Sequence, residues 1–98
     1  MTLEAVNEIL QELANQFPLA IEKARGTEYE YEMRFFQLLL NSGMGNAQAR
    51  EAEAKAICDT EGLYRPMIEA KGLVRTLYNQ KECYIEIARN LRTMKGGD

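Results

Sequence analysis

Apolar side chains recur at the start of the chain at Leu3, Val6, Leu10, Leu13, Phe17, Ala20 and Ala24, alternately three and four residues apart. That spacing is the seam of a helix packed along another helix. The phase slips through Gly26 and Thr27, then resumes as Tyr29, Met33, Phe36 and Leu40, with Phe35, Leu38 and Leu39 beside it. Asn41-Ser42-Gly43-Met44-Gly45-Asn46 reads as a turn, in which Gly43 takes the left-handed conformation that closes one helix and Asn46 caps the next. A second arm begins with Ala47, Ala49, Ala52, Ala54 and Ala56 and slips near Asp59 to Gly62. It then settles into Leu63, Met67, Ala70, Val74, Leu77, Lys81, Tyr84, Ala88 and Leu91, with Lys81 the one polar intruder. Helix formers fill most positions and nothing alternates with period two. The fold class expected is all-α: a single domain, 1–98, built as an antiparallel helical hairpin or coiled coil. Arm one spans about 2–42, the turn 43–46 and arm two about 47–95.

Two prolines interrupt this pattern. Pro18 and Pro66 cannot donate to a helix ladder, so a kink or restart is expected near each. Gly26 and Gly62 each lie 18 residues from a turn centred at residue 44. A simple hairpin would set those glycines at one level, as a shared bend or a break in both arms. A break in both would make four shorter helices and allow a compact monomeric bundle.

A two-helix hairpin buries one seam, and this chain offers more apolar surface than that. Phe35, Phe36, Leu38, Leu39 and Leu40 wrap most of the way around the helix before the turn. The Ala-rich start of arm two covers one side of them only. Contiguous apolar patches of several hundred Å² rarely stay exposed, and small single cores supply only about 3–5 kcal/mol. The expectation is a homo-oligomer, a helical bundle of more than one copy, with those five residues at its interface.

Composition narrows the chemistry. There is no His, so the commonest general base, the usual zinc sites and the Glu-x-x-His di-iron pattern are missing. Ser42-Gly43-Met44-Gly45-Asn46 lacks the Gly-Lys-Ser/Thr ending of a phosphate loop. Glu28, Glu30 and Glu32 fan around a helix and converge on nothing, and Tyr29 and Tyr31 between them read as surface and interface aromatics. Cys58 and Cys83 read as reduced, core-filling thiols, since 25 residues of continuous helix would hold them about 37 Å apart. No catalytic, cofactor-binding or metal-binding residue is assigned, no cofactor is expected, and the chain reads as no enzyme. No apolar run approaches the roughly 20 residues that cross a bilayer. Met1-Thr2-Leu3-Glu4 has neither a basic nor an apolar leader pattern, so no membrane partner and a cytoplasmic location are expected.

Charge is unevenly spread. Residues 1–45 carry seven acids against Lys23, Arg25 and Arg34, whereas residues 65–95 carry seven bases against Glu69, Glu82 and Glu86. Folded antiparallel, the acidic and basic stretches lie alongside each other and favour helix pairing. The sharper alternative is a nucleic-acid contact through Arg89, Arg92 and Lys95.

Ala24 and Tyr31, the turn Asn41-Ser42-Gly43, the run Ala49-Arg50-Glu51-Ala52-Glu53-Ala54 and the closing Ile87-Ala88-Arg89-Asn90-Leu91-Arg92 resemble small helical proteins encoded by bacteriophages and prophages. Some of those sit near recombination and replication genes, which implies an accessory or interaction role in a host cytoplasm. Size, hairpin layout and Tyr78-Asn79-Gln80-Lys81-Glu82, which fits a Tyr-x-x-x-Asp/Glu element, are similar to the WXG100 family of secreted helical hairpins. Its Trp-x-Gly turn is here Gly43-Met44-Gly45. The function expected is a helical protein–protein interaction module, phage- or prophage-encoded, that binds a host or phage protein. The alternative is a nucleic-acid-associated recombination or replication accessory protein that uses the basic arm.

Overall fold

The computed structural model describes residues 1–96 and the side-chain surroundings through Met94; Lys95 therefore lies outside the residues whose side chains are described. The chain is a long antiparallel helical hairpin, with no strand among the described residues. Helix α1 spans Leu3–Asn41, α2 Ala47–Thr60 and α3 Tyr64–Gly96. Both α2 and α3 pack along α1 rather than against each other. The molecule measures 72 × 21 × 16 Å.

Side chains set the helix ends. Thr2 Oγ1 accepts from the Ala5 N–H at 3.1 Å and starts α1; Asn46 Oδ1 accepts from the Ala49 N–H at 2.7 Å and starts α2. At the end of α1, Gly43 does not adopt the expected left-handed conformation. Ser42 leaves the helix extended, Asn41 Nδ2 donates to the Gln37 carbonyl, and Ser42 Oγ accepts from the Met44 N–H. With side chains serving the terminal groups, no left-handed residue is required. Gly62 takes that role at the end of α2, with φ +75°. The Gly62 N–H donates to the Asp59 carbonyl and the Leu63 N–H to the Cys58 carbonyl, both at 3.0 Å, which is a Schellman stop.

The interruption of arm two beside Pro66 is thus a glycine stop followed by a new helix. Pro66 is the third residue of α3, where its missing N–H would have had no helical partner. Pro18 behaves differently, because α1 stays helical through it. Both Pro18 and Ala14, whose carbonyl loses its partner, are exposed, so water can serve that carbonyl. Only one arm breaks, and the two glycines do not face each other. Glu28 pairs with Lys71 and Arg34 with Glu61, so Gly26, before Glu28 in α1, lies beyond the level of Lys71 and well away from Gly62. The register is displaced: Ser42 Oγ donates to Glu53 at 3.0 Å, so α2 begins about a turn or more beyond the end of α1.

The core is a single thin seam. Val6, Leu13 and Ala20 of α1 meet Met67, Ala70, Leu77 and Ala88 of α3, while Ala54 and Cys58 of α2 bury against the last turns of α1. Lys81, the polar intruder, keeps its stem in the seam and its ammonium near two rings, 4.4 Å from the Tyr78 centroid and 6.0 Å from Phe17. No described helix is long and apolar enough to cross a membrane.

Candidate interaction face

The second half of α1 carries two apolar stripes where the sequence suggested one that had slipped. The inner stripe does not slip. Ala24, Thr27, Tyr31, Arg34, Phe35 and Leu38 continue the seam phase of Leu13 and Ala20, and all six are half-buried. Polar members disguise it. The Thr27 hydroxyl donates back to its own helix, to the carbonyls of Lys23 at 2.9 Å and Ala24 at 3.1 Å, so it needs no partner across the seam. Arg34 runs along the seam and ends in a forked contact with Glu61, Nη2 to Oε1 at 2.6 Å and Nε to Oε2 at 2.8 Å.

Tyr29, Met33, Phe36 and Leu40 form the outer stripe. Tyr29 and Phe36 lie two residues, about 200° of helix, past the seam positions Thr27 and Arg34, so they point away from α2 and α3. Their exposures are 65% for Tyr29, 43% for Met33, 57% for Phe36 and 70% for Leu40. The same side of the first half of α1 is different, with Glu8, Glu12, Asn15 and Glu22 around a single Leu19. The outer face of α1 is therefore polar and acidic over its first half and apolar over its second.

Of the five residues expected at an oligomer interface, the structure exposes Phe36 and Leu40 and turns Phe35, Leu38 and Leu39 partly inward. Phe35 stacks on Tyr31 with centroids 5.9 Å apart, and Tyr31 meets Tyr64 of α3 at 5.8 Å. The α2–α3 junction is enough to draw them in, because it adds a helix end against this part of α1. Spacing alone sets Tyr29 and Met33 in the seam, whereas the structure puts them on the outer face, since a stripe on one side of a helix looks the same whichever side meets the partner.

Around the junction the electrostatics are local. Hydrogen bonding and charge from Arg34 hold the Glu61 carboxyl below its ordinary value, and the carboxylate in turn raises Arg34. Lys71 lowers Glu28 in the same way across a 3.0 Å contact. Burial raises the Cys58 thiol and the Tyr31 phenol. Cys58 is a core thiol as expected, but Cys83 is not: it sits on the outer side of α3, exposed and free. No group of three metal-binding side chains occurs among the described residues.

Carboxylates engage much of the basic arm. Arg89 bonds Glu86 at 2.8 Å, Arg65 bonds Glu69 at 3.0 Å and Lys71 bonds Glu28 across the hairpin. Arg92 is exposed one turn beyond Arg89. No protein-family model matches this chain, and neither the curated proteins nor the solved structures give a match.

Proposed function

We propose that this chain is a non-enzymatic helical protein–protein interaction module whose docking element is the outer stripe of α1. One observation carries the reading: four large apolar side chains at i, i+4, i+7 and i+11 stand out from the side of α1 that its own hairpin leaves uncovered. Contiguous apolar surface of this kind marks contact sites on soluble proteins, and anchors at these intervals are how one helix face is read by another protein. In keeping with the resemblance to phage and prophage helical proteins, the module belongs to an accessory factor working in a host cytoplasm through a host or phage protein. The nucleic-acid alternative is the weaker one, because Arg65, Lys71 and Arg89 are each engaged by a carboxylate, Glu69, Glu28 and Glu86.

The test is a comparison of wild type with Phe36→Asp/Leu40→Asp, by light scattering and by capture from host lysate. Wild type should carry another polypeptide, its own or foreign, and the variant should lose it at unchanged helix content. Equal behaviour of the two proteins would overturn the reading.

A further inference from the structure

The geometry points to a second copy of this chain as the occupant of the outer stripe, with the two α1 helices packed antiparallel about a twofold axis between residues 34 and 35. This rests on the reading of the stripe as a docking surface and names its partner.

Area is the first argument. The chain exposes 7328 Å², whereas a compact monomer of 11.2 kDa exposes about 5,700 Å². Its radius of gyration is 20.8 Å, against about 13 Å for a compact domain of this length. The surplus belongs to a partnered hairpin, and standard interfaces cover about 1,600 Å² in total. The stripe offers roughly 500 Å² per copy from two aromatic and two aliphatic side chains. A symmetric pair covers roughly 1,000 Å² before its flanks are counted, which reaches the lower bound for a specific interface.

Spacing is the second. With the axis between 34 and 35, Tyr29 of one copy lies level with Leu40 of the other, and Met33 with Phe36, so each layer joins a large and a smaller side chain. The flanking acids then meet neutral groups, Glu30 beside Gln37 and Glu32 beside Leu39. Gly26, which has open space where a Cβ would stand, continues the stripe to the point where Gly43 of the second copy arrives.

Charge sets the direction. A parallel pair would lay Glu8, Glu12 and Glu22 on the outer face of α1 against the same residues of the other copy, inside the contact. Reversal carries them past the end of the other α1, where Glu22 reaches the level of Ala47, one turn from the exposed Arg50. Like charges directly opposed on a helix pair are unfavourable, so the antiparallel order is selected.

Two measurements test this. Light scattering at tens of micromolar should give twice 11.2 kDa for wild type, and half that mass for Phe36→Asp/Leu40→Asp and for Met33→Glu, with helix content retained. In a Cys83→Ser background, chains bearing Tyr29→Cys and Leu40→Cys are mixed and oxidised. The mixed disulfide should dominate, because two copies of position 29 would stand about 16 Å apart along the axis, too far to bond. Homodisulfides at 29 or 40 would overturn the antiparallel register, and a monomeric wild type would overturn self-association. A monomer that still captures a foreign polypeptide through the stripe leaves the interaction reading standing, whereas a monomer that captures nothing through it removes both.

Discussion

At the scale of single residues, four positions matter more than their side chains suggest. Gly62 has φ +75° with open space around its missing Cβ, so an alanine there meets no neighbour, only the left-handed backbone penalty. Gly62→Ala should cost about 1–2 kcal/mol, read as a lower denaturant midpoint with an unchanged slope. Leu77, 4% exposed in the middle of the seam, is a large-to-small test of the core, and Leu77→Ala should cost about 2–4 kcal/mol in the same measurement. The cysteines separate cleanly. Cys83 is exposed and Cys58 fully buried with its thiol pKa raised by burial, so alkylation of the native protein should add one label at Cys83. The second label should appear only on unfolding. Fast labelling of both would mean that α2 opens from α1. The phase of α3 already sets Cys83 off the Lys81–Tyr84 seam, so the expectation of a core thiol there followed residue type where helix phase was the better guide.

The elements show where helix signals were legible and where they were not. Capping by Asn46, the seam residues of α1 from Leu3 to Ala24 and those of α3 from Leu63 to Leu91 are all readable from spacing, because a 3.5-residue repeat of apolar groups has one economical packing. Lys81 did not disturb that reading, since a long stem lies in a seam while its charge stays outside. Thr27 and Arg34 did disturb it. Both look like interruptions in a list of residues, yet one hydroxyl bonds its own helix and one guanidinium finds Glu61 at the α2–α3 junction. The junction itself supplies a pH prediction. Arg34 depresses the Glu61 carboxyl in the folded state, so the contact stabilises above the ordinary carboxylate value of about 4.3 and is lost as pH falls through the lower folded value. Melting temperatures of wild type and Glu61→Gln should therefore differ at pH 7, wild type higher, and converge toward pH 3. A gap that stays constant with pH would show that the ion pair contributes nothing. Lys71 and Glu28 add a second, weaker instance across the hairpin.

For the whole molecule, shape is the main result. A hairpin 72 Å long and 16 Å at its narrowest has a seam but little interior, and among the described residues only Val6 and Cys58 of the larger core side chains are fully buried. Such a chain should melt at a temperature that rises with concentration, because each halving of free monomer by association stabilises the folded form by mass action. Melting temperatures that coincide at 5 and 200 µM would show a self-sufficient monomer. The amino-acid sequence determined the helices, the Asn46 cap, the break near Gly62 and the identity of most seam residues, since these follow from propensity, turn chemistry and intervals of three and four along one chain. The displaced register and the assignment of Tyr29, Met33, Phe36 and Leu40 to the outside were decided only in three dimensions. The physical reason is that periodicity records which residues share a helix face but not what that face meets. Only once α2 and α3 have packed along α1 is one of its apolar stripes covered and the other left open.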